Sequence, residues 1–226
     1  MHQVLRTFLA TAVLAGFAAP AAAEVIAQDE RGFVTRASSE VAATPTATWL
    51  ALIAPGRWWS SSHSWSGDAA NMTLMPQAGG CFCEKIPGNE ISGNVTLDGS
   101  SRHMEVVQAV PPRVLRMRGG LGPLQSEPVD GVLTITLQPV DGGTKIVWEY
   151  VVGGYFRFEV PVIARAVDGV MDEQLGGLTK FLGPLVQPEP EPEPELEPDV
   201  TSEPEEAKPE TADRPSVDEA FGDLSR

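Results

Sequence analysis

Residues 131–152, GVLTITLQPVDGGTKIVWEYVV, decide the fold of this chain. Two runs in which apolar and polar residues alternate flank Asp141-Gly142-Gly143, a pattern typical of an antiparallel β-hairpin. Because successive side chains of a strand point to opposite faces, the apolar residues of both runs share one face. These residues are Leu133, Ile135, Leu137, Ile146, Trp148, Tyr150 and Val152. The segment therefore predicts an antiparallel sheet with one buried face.

Shorter strand signals precede this hairpin at regular spacing. The predicted strands cover residues 32–41, 71–75, 81–86, 102–110 and 114–118. Turn residues separate them, such as the PQAGG segment between the second and the third of these strands. Residues 87–101 are predicted to form a loop or a small added hairpin.

Two helices are predicted, one short and one long. Thr44 suits an N-cap, Pro45 suits the first helical position, and Pro55-Gly56 ends this short helix. Residues 161–182 are predicted to form the long helix, because apolar residues recur there at steps of three and four. Its apolar stripe consists of Ile163, Val167, Met171, Leu175, Leu178 and Leu182. Glycines at positions 169, 176 and 177 indicate that this helix lies close against another element or bends.

The order of these elements predicts the fold class. A strand, a short helix, a run of strands and a long helix are typical of an α+β protein with its helices on one face of an antiparallel sheet. A long helix across a curved sheet encloses a cavity wherever the facing side chains do not meet. Residues 24–186 are predicted to form this single domain, which is long enough for one sizeable core.

The first 23 residues have the pattern of a secretory signal peptide. Arg6 supplies a positive charge, the apolar run that follows is too short to span a bilayer, and Ala21-Ala22-Ala23 fits a cleavage site. We expect cleavage after Ala23 and a periplasmic or secreted protein that starts at Glu24. A membrane anchor is the alternative, which the short run disfavours. No later segment is long and apolar enough to span a membrane.

Residues 187–226 differ sharply in composition from the rest of the chain. They contain fourteen acidic and three basic residues, a net charge of −11 out of −15 for the whole chain. Repeated Pro-Glu pairs with few apolar residues cannot bury enough surface to offset the entropy of ordering, so we expect a disordered acidic tail. A spacer or docking arm is the functional alternative. The charge argues against nucleic acid as a partner.

Several local patterns resemble a known superfamily over residues 31–183. They are Pro45 to Leu52 with Trp49, Gly56-Arg57-Trp58-Trp59, Gly79-Gly80, Val106 to Pro111 with Val114-Leu115, Gly142 to Thr144, and the closing helix. The chain resembles the SRPBCC superfamily of START, polyketide cyclase and birch-pollen-allergen-like proteins. Within it, the chain is most similar to the branch named after activators of the heat-shock ATPase. The resemblance implies a helix-grip fold, in which a seven-stranded sheet wraps around the long helix and an apolar cavity.

Two features of the chain depart from that branch. A secretory signal and an acidic tail are unlike cytosolic chaperone cofactors, and the space outside the inner membrane lacks ATP. Activation of a chaperone ATPase is therefore not expected. Members of the superfamily bind lipids, hormones or polyketides, and a few catalyse reactions in the cavity.

Cys81 and Cys83 lie two apart on a predicted strand, so both thiols point to the same face. They could form a small-ring disulfide, bind a soft metal ion together with His63, His103 or Glu84, or pack as small apolar side chains. Glu84 is predicted to lie on the opposite face of the strand, and no metal-binding spacing is present. We therefore expect neither a metal ion nor a cofactor.

His63 lies among serines in the segment SSSHSWS. It could act as a general base for a neighbouring serine, but no nucleophile elbow accompanies it. A polar loop at the mouth of the cavity is the alternative interpretation. Asp168 on the long helix could face inward toward Arg116, Arg118 or His103, but the pattern favours a solvent-exposed position at the rim.

The leading hypothesis is a monomeric binding protein for a small hydrophobic or aromatic molecule. The candidate ligand-binding residues are Trp59, His63, Trp65, Cys81, Phe82, Cys83, His103, Leu115, Met117 and Tyr155. The alternative is a cavity-based enzyme of the cyclase or hydrolase type that uses His63 with Glu84 or His103. The sequence does not identify individual catalytic residues beyond these.

Overall fold

The computed structural model describes residues 22–92 and 95–186. The predicted acidic tail lies outside these residues, as does all of the predicted signal peptide except its last two positions. Both segments therefore remain predictions. None of the described helices is long and apolar enough to cross a membrane.

The described residues form ten strands and two α-helices. The strands are β1 (Ala22–Asp29), β2 (Gly32–Val41), β3 (Met72–Leu74), β4 (Cys81–Ile86), β5 (Glu90–Ser92), β6 (Val95–Thr96), β7 (Gly99–Val110), β8 (Val114–Arg118), β9 (Val129–Val140) and β10 (Gly143–Gly154). The helices are α1 (Pro45–Leu52) and α2 (Val160–Leu182). Short 3-10 turns cover Pro55–Arg57, Ser61–His63, Ala69–Asn71 and Gly122–Ser126.

Eight strands form one antiparallel sheet in the order β1-β2-β10-β9-β8-β7-β4-β3. The predicted hairpin lies at its centre, where Trp148 pairs with Ile135 and Ile146 with Leu137. The backbone of Gly142 has a φ of 75°, which favours glycine at this turn. All seven apolar residues of the predicted hairpin face are buried. The α+β class and the helix-grip arrangement are confirmed.

Seven strands of this sheet are the predicted ones, and β1 is the eighth. It pairs with β2 at the edge of the sheet and leaves most of its side chains exposed. Because it buries little, it lacks the alternating pattern by which the other strands were found. The predicted segment 87–101 contains β5 and β6, which pair as a separate small sheet.

Helix α2 packs against β1, β2 and α1. Five residues of its predicted stripe belong to the buried core, namely Ile163, Val167, Met171, Leu175 and Leu178. The predicted close approach occurs at Gly177, where an added Cβ atom would lie 2.5 Å from the carbonyl oxygen of Trp58. At Gly169 and Gly176 an added Cβ would meet nothing within 4 Å. At the other helix, Thr44 caps α1 as predicted, since its hydroxyl accepts a hydrogen bond from Ala47 N.

Candidate functional site

A cavity of about 350 Å³ lies between α2 and the neighbouring loops, and we call it the outer cavity. Helix α2 contributes an apolar wall made of Ile163, Ala166, Val167, Val170 and Met171. The remaining lining residues are Trp59, Ser62, His63, Ser64, Trp65, His103, Leu121, Gly122 and Pro123. Ser62, Trp65, Pro123 and Ala166 are exposed, so they form its rim. A hollow therefore lies beneath the long helix, and loops together with His103 of the sheet, rather than the sheet as a whole, form its other walls.

Four of the ten candidate ligand-binding residues line this outer cavity: Trp59, His63, Trp65 and His103. A second space of about 20 Å³ lies in the core, and we call it the inner chamber. Three other candidates line it, namely Phe82, Leu115 and Met117, and Trp59 lines it as well. The side chain of Tyr155 is 68% exposed and lines neither space.

Cys81 and Cys83 also line neither space, because of the alternation along β4. Phe82 and Glu84 point into the protein, whereas the two cysteines between and beside them are half-buried on the opposite face. The cysteines form a disulfide with a Cα–Cα distance of 5.3 Å. The sequence left open a disulfide, a metal site or two apolar thiols, and the structure contains the disulfide. The predicted separation of Glu84 from the cysteines is confirmed.

His103 enters the cavity wall through a β-bulge in β7. Phe82 pairs with Met104 and Cys83 pairs with Arg102, so His103 is the additional residue on its strand. As a result, His103 and Met104 are adjacent in sequence and are both buried. A bulge redirects side chains in this way, and strict alternation would have placed the two on opposite faces.

The imidazole of His103 is hydrogen-bonded at both nitrogens. Its Nε2 lies 2.9 Å from the Glu84 carboxylate, and its Nδ1 lies 3.2 Å from Gln125 Nε2. Burial lowers the pKa of His103, although the carboxylate of Glu84 acts in the opposite direction. The ring is therefore neutral near pH 7, donating through Nε2 and accepting at Nδ1.

Glu84 is buried, yet its pKa is lowered. Burial alone would raise the pKa, but this effect is outweighed by hydrogen bonds from the segment that precedes β3. The backbone N–H groups of Trp65 and Ser66 donate to its two oxygens over 3.0 and 2.5 Å. Glu84 thus fixes the loop that carries Trp65 to the sheet wall that carries His103.

His63 pairs with a residue that the sequence did not identify. Its Nε2 lies 2.9 Å from Glu173 Oε2, and hydrogen bonds from Ser60 and from His63 lower the pKa of that carboxyl. Glu173 follows Ala166 and Val170 along the same face of α2, at steps of four and three. That spacing is the signal by which Glu173 could have been placed at the cavity mouth.

The segment 119–128 covers one side of the outer cavity, and we call it the strap. At its start, Tyr150 donates a hydrogen bond from its hydroxyl to Gly119 O over 2.9 Å. The same hydroxyl accepts from Leu121 N over 3.3 Å, and burial raises the pKa of Tyr150. At its end, the buried carboxylate of Glu127 accepts hydrogen bonds from Arg157 N and Nε, each over 2.9 Å. The sequence does not predict these two contacts of the strap, because each joins residues about thirty positions apart.

The middle of the strap connects Trp65 at the rim of the cavity with His103 in its wall. Gln125 accepts a hydrogen bond from Trp65 Nε1 over 3.2 Å through its Oε1 atom and donates to His103 from its Nε2 atom. Ser101 also donates to that Oε1 atom, over 3.2 Å. One amide side chain therefore orients a rim residue and a buried wall residue together.

No hydrogen bond or ion pair among the described residues joins Asp168 to Arg116, Arg118 or His103, and His103 bonds to Glu84 and Gln125 instead. Arg116 bonds to Gln108 and Thr134, and Arg118 pairs with Asp130. Burial raises the pKa of Asp168, and the nearby carboxylates of Asp172 and Glu24 add to this effect. Within residues 22–92 and 95–186, no group of three or more His, Cys, Asp or Glu side chains is arranged to hold a metal ion.

Several solved structures are similar to this chain. One is a protein from Rhizobium leguminosarum, with 18% sequence identity, a TM-score of 0.48, and coverage of 73% of this chain and 98% of that chain. A protein from Rhodobacter sphaeroides has 21% identity and a TM-score of 0.43, with 71% and 97% coverage. The Aha1 dimer from Colwellia psychrerythraea has 13% identity and a TM-score of 0.38, with 65% and 93% coverage.

The family comparison covers the whole of the helix-grip fold from β2 to the end of α2. A comparison with curated proteins finds no match to this chain. A family model described as polyketide cyclase / dehydrase and lipid transport matches residues 33–183, well over half of the 226 residues. This match agrees with the superfamily that the sequence resembles. The chain therefore belongs to the polyketide cyclase / dehydrase and lipid transport family.

Proposed function

We propose that this protein binds a small hydrophobic or aromatic molecule in the outer cavity, as a monomer outside the cytoplasm. The observation that carries the proposal is the apolar cavity of about 350 Å³ beneath α2. Its size lies within the range of about 300–1,000 Å³ that is typical of small-molecule sites. The description of the family, which includes lipid transport, supports a hydrophobic ligand.

The cavity lining suits a flat or extended apolar body with a small polar end. Trp59 and Trp65 contribute indole rings to the lining, and α2 contributes aliphatic side chains. Polar groups on the lining are few and include Ser62, His63 and Ser64 near the rim. A ligand would therefore place its polar group toward these residues and its apolar part toward α2.

Two features support a location outside the cytoplasm. The first 23 residues have the signal-peptide pattern, and the Cys81–Cys83 disulfide is of a kind that persists in oxidising compartments. If cleavage occurs after Ala23, the mature chain retains residues 24–29 of β1.

The hydrogen bonds of His103 favour binding over catalysis by this residue. Both ring nitrogens are occupied, one by Glu84 and the other by Gln125. A general base must have a nitrogen within hydrogen-bond reach of the proton that it removes. In this arrangement the His103 ring lines the cavity without a free nitrogen, and it packs against Phe82 at a centroid distance of 5.2 Å.

A second candidate function, catalysis, is favoured by the pair of His63 and Glu173. Because Glu173 is a carboxylate, it accepts the Nε2 hydrogen of His63 and leaves Nδ1 as an acceptor. Among the described residues, none donates a hydrogen bond to that nitrogen. A histidine oriented by a carboxylate at a cavity wall has the arrangement of a general base, here with Glu173 in place of Glu84 or His103.

Native mass spectrometry of the full chain, expressed with its own N-terminal segment, tests the binding function. We expect one mature chain that starts at Glu24 and carries a bound small molecule, or that takes up the neutral aromatic probe N-phenyl-1-naphthylamine. Val170→Trp fills the outer cavity and should abolish binding. Val151→Trp on the outer face of β10 is the matched control and should not. A wild-type chain that binds neither a natural ligand nor the probe would contradict the proposal.

His63→Asn separates the two candidate functions. If the cavity is a binding site alone, the same molecules should copurify with the variant and with the wild-type chain. If His63 acts as a base, an unconverted precursor of different mass should accumulate on the variant. Both chains are compared by mass spectrometry of the released small molecules.

A further inference from the structure

Trp59 lies between the outer cavity and the inner chamber. Of the described residues, it is the one that lines both spaces. Trp59 is 9% exposed, so its indole is enclosed by these two spaces and by the residues around them. Trp59 therefore forms part of the wall that divides the interior, and beside it His103 of the outer cavity packs against Phe82 of the inner chamber.

One hydrogen bond and two aromatic contacts orient this indole. Trp59 Nε1 donates one hydrogen bond, over 3.0 Å, to the carbonyl oxygen of His63 in the loop at the cavity mouth. Its ring meets Phe82 edge-on at a centroid distance of 5.3 Å and lies 5.6 Å from the ring of Trp58. Trp58, in contrast, is fixed to α1 by a buried hydrogen bond from its Nε1 to Ala51 O. Of the two adjacent indoles, Trp59 is therefore the one that is hydrogen-bonded to the loop at the cavity mouth.

The inner chamber is an unfilled space in an otherwise packed core. Its walls include Phe82, Leu115, Met117 and Trp148, and its volume of about 20 Å³ is close to that of a single water molecule. The buried indole N–H of Trp148 has no hydrogen-bond partner among the described residues. A stable buried water needs two or more polar partners, and one N–H does not supply them. Packing is thus incomplete directly behind Trp59.

We propose that Trp59 is the specificity-determining residue that sets the maximum length of the ligand, by separating the outer cavity from the inner chamber. This inference rests on the proposed binding function. With the indole in place, a ligand ends at Trp59. Without it, the two spaces join, and an apolar chain can extend between Phe82, Leu115 and Met117.

The test measures binding of straight-chain primary alcohols of increasing length, by displacement of N-phenyl-1-naphthylamine from the full chain. Each methylene group that becomes buried should tighten binding about fourfold. In the wild-type chain this gain should stop at a length set by Trp59. In Trp59→Ala the gain should continue over about two or more further methylene groups, each worth the same factor. Val170→Ala, which enlarges the outer cavity alone, is the matched control and should keep the wild-type length limit.

The possible outcomes distinguish the role of Trp59 from the proposed binding function. A wild-type chain that binds neither probe nor alcohols would overturn the binding function and this inference together. A wild-type chain that binds, with the same length limit in Trp59→Ala, would overturn the inference alone. If Trp59→Ala does not fold, Trp59→Phe keeps an aromatic ring of smaller size. It should shift the limit in the same direction by a smaller amount, and an unchanged limit in that variant would also overturn the inference.

Discussion

Glu84 and His103 form a buried pair across β4 and β7, with 2.9 Å between the carboxylate and Nε2 and with side chains 0% and 4% exposed. The pair consists of a carboxylate and a neutral imidazole, because burial lowers the pKa of the histidine. The negative charge is compensated by the backbone N–H groups of Trp65 and Ser66. Protonation of Glu84 would weaken its bonds to the loop at the mouth of the cavity, and protonation of His103 would remove the acceptor for Gln125 Nε2.

This pair predicts how stability depends on pH. The unfolded chain takes up a proton on His103 near pH 6.5, whereas the folded chain, with its lowered pKa, does so at lower pH. The free energy of unfolding should therefore fall as the pH drops below about 6.5, by at most about 1.4 kcal/mol per pH unit for this proton. Below about pH 4.5, Glu84 should add a second loss for the same reason, since its folded pKa is also lowered.

Urea denaturation of wild type and of His103→Gln, from about pH 8 to about pH 4, measures this dependence. Glutamine can still donate to Glu84 but does not titrate, so the loss that begins near pH 6.5 should disappear in the variant. His63→Gln is the control, because it removes the other histidine of the described residues and should keep that loss. An unchanged pH profile in His103→Gln would contradict the assignment.

A pair of glycine substitutions in α2 should change stability in opposite directions. At Gly169 an added methyl group meets nothing, so Gly169→Ala should stabilise the protein by up to about 1 kcal/mol through its higher helix propensity. At Gly177 the methyl group would lie 2.5 Å from Trp58 O, so Gly177→Ala should destabilise the protein by about 1–3 kcal/mol. Thermal denaturation distinguishes the two. Equal effects would show that α2 does not lie as close to Trp58 as the structure has it.

Asp168→Asn should stabilise the protein at neutral pH. Asp168 and Asp172 are four residues apart on α2, and like charges at this spacing cost up to about 0.5 kcal/mol. Burial and the neighbouring carboxylates raise the folded pKa of Asp168, so its ionisation above that pKa destabilises the fold. The advantage of asparagine should therefore be largest near neutral pH and should shrink as the pH falls toward that pKa.

Asp130→Asn is the control for this substitution, since Asp130 pairs with Arg118 and does not share the crowding of Asp168. It should leave stability unchanged or reduce it slightly at neutral pH. Thermal denaturation at two pH values is sufficient. A lower Tm for Asp168→Asn than for wild type at neutral pH would contradict the prediction.

Local periodicity predicted the scaffold better than the site. The hairpin around Gly142 and the stripe of α2 follow from patterns within one or two neighbouring elements. The position of His103 depends on a one-residue bulge against β4, which no alternation reveals. The contact of His63 with Glu173 joins residues 110 positions apart, and only the fold brings the loop of His63 against α2.

The ion pair of Glu127 and Arg157 should control ligand binding through the strap. The Glu127 side chain is buried, and removal of the guanidinium would leave its carboxylate with the backbone N–H of Arg157 as its remaining bond to that residue. Because the strap carries Leu121 and Pro123 of the cavity wall, Arg157→Ala should lower the Tm and weaken binding of N-phenyl-1-naphthylamine. Arg157→Lys should have an intermediate effect, since an ammonium group cannot reproduce the two-pronged contact of guanidinium. Arg165→Ala, at an exposed position of α2, is the control, and an equal loss of binding in it would show that the effect does not act through the strap.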